Sequence, residues 1–417
     1  MQLDPNVATA KMLPWAFSRT RSLRPVCNVH FRSAFSTSSP FLRASDPLRI
    51  LFCGSDEFSI AALRALHHEH LRNPYLIESL DVVIRPGKPT GRGLKTVRQV
   101  PIKSTAQELG LPIHEINTFT GWTPSFNMNL IVAVSFGLLV PPRLLRSAQY
   151  GGLNLHPSLL PDLRGPAPLH HTLLLNRPFT GITLQTLHES KFDHGTILSQ
   201  TSLPGLPVPP GTNLQALHDI VTPPAAEMLV QGLRDGVHVP PLKPVGRTPS
   251  QRDLAALRHA PKLTKQDRQV RWRAWAADDF ATRETVLGPL WSELQTRRGR
   301  KRVLFEGLEA VAPLAGGDEA VKGRAGAFVA FETGADAGGS GGSVLVEEAV
   351  EVSYLEADDG SGSVLISAPG GGVVKVARIK IEGDKSKPAA NTLAIHTNVG
   401  KAEFWKGSSD IHGEASS

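Results

Sequence analysis

Apolar segments of strand length alternate with segments of helical periodicity from residue 48 onward, and this alternation limits the possible folds more than any other feature. Residues 48–54 have the pattern of a buried strand that ends in a turn, and residues 58–70 carry apolar side chains at helical spacing. Two further apolar strands are predicted at residues 80–84 and 130–136. Strands that alternate with helices predict a doubly wound α/β domain with a parallel sheet, whose ligand crevice lies at the carboxyl ends of the strands.

The 417 residues are enough for two or three hydrophobic cores, since single domains contain about 100–200 residues. Cys27 and Cys53 are the only cysteines, too few for a disulfide framework or for a zinc or iron–sulfur site. No uninterrupted apolar run reaches about 18 residues, the length that an ordinary transmembrane helix requires. We therefore expect a soluble two-domain protein of a reducing compartment that does not associate with a membrane.

The first 47 residues have the composition of an organelle transit peptide. They contain six Lys and Arg against two Asp, they are rich in Ser, and they lack the long apolar core of a secretory signal. We interpret residues 1–47 as a disordered transit peptide that directs the chain to the mitochondrion, in its matrix. The alternative is a basic tail without any targeting role.

A second basic segment runs from residue 242 to residue 302, with 15 Lys and Arg against six Asp and Glu. A local excess of this size is typical of a surface that binds a polyanion, and the backbone phosphates of RNA are the natural partner. Solvated helix faces are the alternative explanation for any single charge in this segment.

Changes in composition divide the rest of the chain into four parts. A catalytic α/β domain is predicted at residues 48–238, a proline-rich linker at residues 239–266, a C-terminal domain at residues 267–398 and a polar tail at residues 399–417.

Several elements are predicted inside these parts. The helix at residues 214–233 is expected to be interrupted by Pro223 and Pro224. A helical stretch is expected from residue 267 to residue 294, and about residues 314–342, which contain Gly-Gly-Ser-Gly-Gly, are predicted to be a flexible insertion. Short strands broken by glycine-rich turns predict a small β-barrel, and they cover residues 302–305, 343–347, 363–367 and 373–378.

Asn154, His156 and Asp193 form a candidate catalytic constellation. Asn154 and His156 are two residues apart, so on an extended segment both side chains point to the same face. Asp193 ends a strand-like run and is expected to bring a carboxylate that orients the imidazole. Such a set suits acyl transfer through a tetrahedral intermediate without a metal. The alternative is a strand that enters a turn, with Asn154 capping its own backbone and Pro157 ending the ladder.

The sequence resembles the folate-dependent formyltransferase family. The central motif is Asn154-x-His156 followed by Ser158-Leu-Leu-Pro161-x-x-Arg164-Gly165. It continues with Gly181-Ile-Thr183 and Asp193-x-Gly195. Three other stretches agree in order and spacing, namely residues 49–58, 88–95 and 132–141. The match extends from about residue 48 to about residue 395 and is weakest near residues 306–345.

This resemblance implies that the α-amino group of methionine, esterified to initiator tRNA, attacks the formyl carbon of 10-formyltetrahydrofolate. His156 is then the candidate for proton handling and for stabilising the oxyanion, Asn154 for a hydrogen bond to that oxygen, and Asp193 for orienting His156 or relaying a proton. The resemblance further implies a C-terminal domain with an oligonucleotide-binding-like fold. The expected partners are initiator methionyl-tRNA and folate, no metal is required, and a monomer is expected.

Folate is expected along the segment Ser158, Leu159, Leu160 and Pro161. Core packing is the alternative for the two leucines. The candidate tRNA contacts are Lys88, Arg92, Lys95 and Arg164. A nucleotide phosphate loop is the alternative at residues 87–95, but no glycine motif of that kind follows a strand and opens a helix there.

Three other functions are compatible with parts of the sequence. A glycinamide-ribonucleotide formyltransferase, or another folate-dependent formyl transferase or hydrolase, shares the Asn-x-His and Asp residues but lacks a basic C-terminal domain. A catalytically silent RNA-binding protein could keep the fold without the reaction. A nicotinamide-dependent dehydrogenase is disfavoured because the glycine fingerprint is missing.

Overall fold

The computed structural model describes residues 45–245, 255–312, 325–335 and 345–397. The predicted polar tail and nearly all of the predicted transit peptide lie outside these residues. Residues 45–47, which we assigned to the transit peptide, are hydrogen-bonded to the α/β domain: the Asp46 amide donates to the Tyr150 hydroxyl at 2.9 Å, and Asn129 Nδ2 donates to the Pro47 carbonyl at 2.9 Å.

Strands and helices alternate in the first part of the chain, as the sequence predicts. The strands are β1 (Leu48–Gly54), β2 (Ile77–Ile84), β3 (Lys88–Thr90), β4 (Thr96–Arg98), β5 (Ile113–Glu115), β6 (Leu130–Val134), β7 (Gly152–His156), β8 (Phe179–Thr180), β9 (Thr183–Thr186), β10 (Ile197–Gln200) and β11 (Leu206–Pro207). The helices are α1 (Glu57–Arg72), α2 (Ile102–Glu108), α3 (Pro142–Ser147), α4 (Pro168–Leu174) and α5 (Leu214–Arg234).

Strands dominate the second part. The elements are α6 (Ala277–Leu287), β12 (Leu290–Thr296), β13 (Gly299–Val311), β14 (Ala325–Ala335), β15 (Leu345–Glu356), β16 (Val364–Ser367), β17 (Val373–Ile381), β18 (Lys387–Pro388) and α7 (Ala389–His396).

The first sheet has the strand order β10-β9-β7-β6-β1-β2-β5. The five strands from β5 to β7 are parallel, whereas β9 and β10 are added antiparallel at the β7 edge. The order reverses between β1 and β6, so the carboxyl ends of these strands flank a topological switch point where ligands bind in such sheets. The predicted doubly wound α/β class is therefore confirmed.

The two faces of this sheet are covered by separate cores, as the apolar sequence of β6 requires. Leu130, Val132 and Val134 face one core together with α1 and α5, and Ile131 and Ala133 face the other core together with α3. A strand that is apolar at every position is thus buried on both faces.

Helix α5 corrects one prediction, because Pro223 and Pro224 lie inside it without interrupting it. Each proline removes one backbone donor and costs about 3 kcal/mol in a helix interior. The packing of the helix offsets this cost, since each large apolar side chain that it buries contributes about 1.5–3 kcal/mol. The buried positions at four-residue spacing are Leu217, Val221, Ala225, Leu229 and Leu233.

The second sheet closes into a barrel. Its order is β13-β12-β14-β15-β16-β17, and β13 also pairs with β17. Trp272 lies in its core, with ring centroids 5.3 Å from Phe305 and 5.4 Å from Phe328. The predicted C-terminal β-barrel is confirmed.

Three details of this barrel differ from the sequence predictions. The helical stretch expected to continue to residue 294 ends at Leu287, because Gly288 adopts a φ of 82° and Pro289 follows it; residues 290–296 form β12 instead. The strands are longer than predicted, with 13 residues in β13 and 12 in β15. Strand β14 lies inside the segment predicted as a flexible insertion and pairs with β15 along its whole length. The glycine-rich sequence did not predict this pairing, because the partner of a strand is not determined by its local sequence.

Candidate active site

Strand β7 ends at the carboxyl edge of the sheet with Asn154 and His156 on one face. Asn154 Nδ2 donates to Asp193 Oδ1 at 3.1 Å, and His156 Nδ1 lies 3.4 Å from the same oxygen. The structure therefore brings together the three side chains that the sequence singled out. Their two-residue spacing on an extended strand is the local reason, as predicted.

Asp193 reaches this point from a turn between β9 and β10 and not from a strand end, which corrects the sequence prediction. Its φ is 56°, a left-handed conformation that aspartate tolerates better than most residues. The turn is closed by Gly195, where a Cβ atom would stand 1.7 Å from the Thr186 carbonyl oxygen. Only glycine fits there, so the Asp193-x-Gly195 motif has a steric explanation.

Several donors converge on Asp193, whose side chain is 10% exposed. Besides Asn154, the Gly165 amide donates to Oδ2 at 2.9 Å and Gln185 Nε2 lies 3.4 Å from Oδ1. Arg164 Nε donates to the Asp193 backbone carbonyl at 2.7 Å. Because an ionised carboxylate only accepts hydrogen bonds, this set of donors suits the charged form of Asp193.

His156 is buried, and both ring nitrogens face oxygen atoms. Nε2 lies 3.1 Å from the Leu163 carbonyl oxygen, opposite the Nδ1 contact with Asp193. Burial lowers the pKa of the His156 imidazole, while the Asp193 carboxylate and the Leu163 carbonyl act against this by favouring the protonated ring. Burial thus disfavours the charged ring while the two oxygen atoms that face its nitrogens favour it, and such opposing influences are typical of a residue that exchanges a proton during a reaction.

The loop that follows His156 is fixed by buried polar side chains. Thr183 Oγ1 donates to the Ser158 carbonyl at 2.7 Å and accepts from the Leu160 amide at 3.1 Å. Gln200 Nε2 donates to the Leu160 carbonyl at 2.8 Å. Both backbone polar groups of Leu160 are therefore already bonded within the protein.

These contacts distinguish the four predicted folate-binding residues. Ser158 and Leu160 are buried, whereas Leu159 and Pro161 are half-buried. The Leu159 side chain packs over Gly181, where a Cβ atom would lie 2.4 Å from Leu159 Cδ2. Leu159 and Pro161 keep surface that a ligand can contact.

The four predicted tRNA contacts fall in two places. Lys88 and Lys95 are exposed on the hairpin of β3 and β4, and Arg92 lies in the 3-10 turn between these strands. Arg164, in contrast, is half-buried beside the carboxylate, and burial lowers the pKa of its guanidinium. It belongs to the loop that follows His156 rather than to the hairpin.

A segment of the predicted linker holds the same loop. The Leu163 amide donates to the Arg258 carbonyl at 2.8 Å, and the Ala260 amide donates to the Arg164 carbonyl at 2.7 Å. At Gly165 a Cβ atom would stand 2.4 Å from the Ala260 carbonyl oxygen. These linker residues therefore form part of the wall of the site. The loop-like composition of the linker did not predict this position.

Sequence reasoning missed Gln185, Thr183 in its hydrogen-bonding role, and Gln200. All three are polar residues on β9 and β10, and Thr183 and Gln185 are almost fully buried. A polar side chain at an inward position of a strand is the available signal, since buried polar groups require partners, but no strand was predicted at residues 183–186 or 197–200.

Within the described ranges, no cluster of three or more His, Cys, Asp or Glu side chains could hold a metal ion. The described helices include none with the length and apolar character needed to span a bilayer.

Comparisons with known proteins show the family of this chain. Residues 48–233 match the formyl transferase family. The mitochondrial methionyl-tRNA formyltransferase of Saccharomyces cerevisiae is 31% identical over 299 residues, covering 61% of this chain and 71% of that protein. That of Homo sapiens is 34% identical over 242 residues, covering 57% of each chain. The methionyl-tRNA formyltransferase of Bacillus subtilis is 31% identical over 233 residues, covering 54% of this chain and 67% of that protein. The chain thus spans little more than half of the human relative.

Proposed function

Because this chain belongs to the methionyl-tRNA formyltransferase family, we propose that it transfers the formyl group of 10-formyltetrahydrofolate to the α-amino group of methionyl-initiator tRNA, in the mitochondrial matrix. The observation that carries this proposal is the convergence of Asn154 and His156 on the Asp193 carboxylate at the carboxyl edge of the sheet. The chain is then a formyltransferase of translation initiation.

The reaction joins the amine nitrogen to the formyl carbon and breaks the bond between that carbon and N10 of the folate. The amine loses one proton, and N10 gains one. A tetrahedral intermediate with a negatively charged oxygen lies between these steps, so the enzyme needs a hydrogen-bond donor for the oxygen and a carrier for the proton.

The site residues match these needs. The Asn154 side chain is half-buried and uses one of its two amide hydrogens on Asp193, so that the second can be donated to the oxyanion. His156 gains a proton most easily as negative charge develops beside it, since Asp193 and the Leu163 carbonyl both favour the protonated ring. Asp193 holds the ring and takes part in proton removal from the amine.

The substrates are assigned by position. The folate lies along Ser158, Leu159, Leu160 and Pro161, with Leu159 and Pro161 offering the accessible surface. The exposed cations of the β3–β4 hairpin, Lys88 and Lys95, and Arg92 of the connecting turn contact the tRNA, as electrostatic attraction to phosphates favours. Arg164 lies closer to the reacting groups than the hairpin does, and we assign it to the phosphates at the acceptor end of the tRNA.

The closed barrel supports tRNA over glycinamide ribonucleotide as the acceptor. A small nucleotide does not require a second domain, whereas β12–β17 add one beside a basic segment. The division into a catalytic domain at residues 48–238, a linker at residues 239–266 and a C-terminal domain at residues 267–398 remains a prediction, as does the monomeric state.

The test is an incubation of the purified chain with 10-formyltetrahydrofolate and charged initiator tRNA, followed by base hydrolysis and measurement of formyl-methionine. Product that requires both substrates, disappears in His156→Ala and persists in His114→Ala supports the proposal. His114 is a suitable control because it also pairs with an aspartate, Asp81 at 2.8 Å, but on strands β2 and β5. Intact tRNA binding without product would favour a catalytically silent RNA-binding protein.

A further inference from the structure

Gln185 lies beside the catalytic carboxylate and has no part in the reaction described above. It sits on β9 directly opposite Asn154 of β7, and its side chain is almost completely buried, with the residue 1% exposed. Its Nε2 is 3.4 Å from Asp193 Oδ1, and its Oε1 accepts a hydrogen bond from the Gly195 amide at 3.1 Å. One side chain therefore contacts both residues that flank position 194.

The orientation of this amide is determined by its two neighbours. With the opposite orientation, its NH₂ group would face the Gly195 N–H and its oxygen would face the Asp193 carboxylate. Both contacts would then be repulsive, and a buried polar group without a partner is costly. The Gly195 amide thus directs the Gln185 NH₂ group toward Asp193.

The carboxylate needs such support because Asp193 lies in a turn and not in the sheet. The turn is tied to β9 at its far side, since the Thr186 amide donates to the Thr196 carbonyl at 2.9 Å and the Thr196 amide donates to Thr186 Oγ1 at 2.9 Å. Gln185 adds a corresponding hydrogen bond at Asp193 itself. A side chain of equal size without an amide would remove one of the three donors that hold the Asp193 carboxylate and so weaken its alignment with Asn154.

We propose that Gln185 is a positioning residue for formyl transfer, which fixes the Asp193 carboxylate against Asn154 and His156 by donating to Oδ1 while anchored on the Gly195 amide. This inference rests on the proposed function of the same site. It assigns Gln185 no contact with either substrate, so its effect should be confined to turnover.

The first test is Gln185→Met in the full chain, which keeps the size of the side chain and removes both polar contacts. We expect kcat to fall about tenfold, the effect of losing one hydrogen bond to a charged group, with KM unchanged for 10-formyltetrahydrofolate and for methionyl-tRNA. The matched control is Gln215→Met on the exposed face of α5, where activity should not change.

A double variant tests whether Gln185 acts through Asp193. In an Asp193→Asn background, Gln185→Met should cause no further loss of kcat, because there is no carboxylate left to position. If the two losses multiply, Gln185 acts in another way and the proposal is overturned.

Gln185→Glu supplies a signature that a merely structural role would not give. The introduced carboxylate keeps an acceptor for the Gly195 amide but cannot donate to Asp193 until it is protonated. The ratio of variant to wild-type kcat should therefore rise as the pH is lowered, whereas a packing defect would leave this ratio independent of pH. This ratio also decides the matter if Gln185→Met does not fold.

The outcomes separate the two proposals. A wild-type chain that does not formylate methionyl-tRNA contradicts the proposed function. A wild-type chain that does so, with wild-type kcat in Gln185→Met or a pH-independent ratio in Gln185→Glu, contradicts only the role of Gln185.

Discussion

Replacing Asp193 by asparagine removes one charge and almost no volume, so it isolates the electrostatic part of the site. The aspartate accepts from Asn154 and Gln185 on Oδ1 and from Gly165 on Oδ2. An amide in its place has one oxygen and one NH₂ group, and the NH₂ group must face either the Gly165 amide or the Asn154 amide. The first orientation leaves the Gly165 amide without an acceptor, and the second leaves both Asn154 and Gln185 without one.

The size of the effect follows from these contacts. An unsatisfied buried donor costs about 1–3 kcal/mol of unfolding free energy, which corresponds to a fall in melting temperature of about 2–4 °C per kcal/mol in a domain of this size. Loss of the carboxylate also removes the group that favours protonated His156, and loss of an acid–base or oxyanion group lowers the rate about 10²–10⁴-fold. We therefore expect kcat to fall by that factor while the variant still unfolds cooperatively.

The assay is formyl transfer from 10-formyltetrahydrofolate to charged initiator tRNA, with thermal unfolding measured on the same preparations. The control is Asp81→Asn, which makes the same change in the His114–Asp81 pair, whose strands β2 and β5 lie three and four strands away from β7 in the sheet. Its kcat should equal that of the wild type. A kcat within about threefold of the wild type in Asp193→Asn would refute the argument, because it would show that the carboxylate does not support the reaction.

Three further predictions concern the surroundings of the site. His156→Ala should lower kcat about 10²–10⁴-fold with folding intact, as measured by the same transfer assay and by circular dichroism. Gly165→Ala should abolish activity and strongly destabilise the chain, because Gly165 has a φ of 122° and a Cβ atom would collide with the Ala260 carbonyl. The control is Gly110→Ala, at a residue with a φ of 66° and open space around it, which should lower the free energy of unfolding by only about 1–2 kcal/mol in denaturant titration. Burial lowers the pKa of His238 to about 4. Between pH 6.5 and about 4 the unfolded chain therefore binds a proton that the folded chain excludes. The free energy of unfolding should decrease by up to about 3 kcal/mol as the pH falls over this range. Denaturant titrations over this range should show a shallower pH dependence in His238→Gln, and an unchanged dependence would contradict the assignment.

Local periodicity explains why part of this architecture could be predicted. Apolar runs such as residues 130–134 are buried on both sheet faces, which the sequence shows by the absence of alternation. Asn154 and His156 face the same way because they are two residues apart on a strand. Asp193 was identified as a partner, but its turn conformation was not, since that conformation depends on the close approach of Gly195 to Thr186.

Contacts between segments distant in sequence could not be predicted in this way. Strand β14 was interpreted as an insertion because glycine is unfavourable in strands, yet its pairing with β15 overrides that preference. Gln185 has no distinguishing motif, and only the register of β7 against β9 places it opposite Asn154. Residues that act through tertiary contacts therefore cannot be recognised from periodic patterns in the sequence.

Residues 258–260 of the predicted linker are joined to the loop that follows His156 by backbone hydrogen bonds. His156 donates through its ring to the Leu163 carbonyl, and the Leu163 amide in turn donates to the Arg258 carbonyl. The neighbouring Gly165 donates to Asp193, and its close approach to Ala260 leaves no room for a side chain. A displacement of this linker segment would therefore reach both His156 and Asp193 through single hydrogen bonds. The barrel domain follows this segment along the chain, so the linker connects the barrel to the loop that carries Leu163 and Gly165.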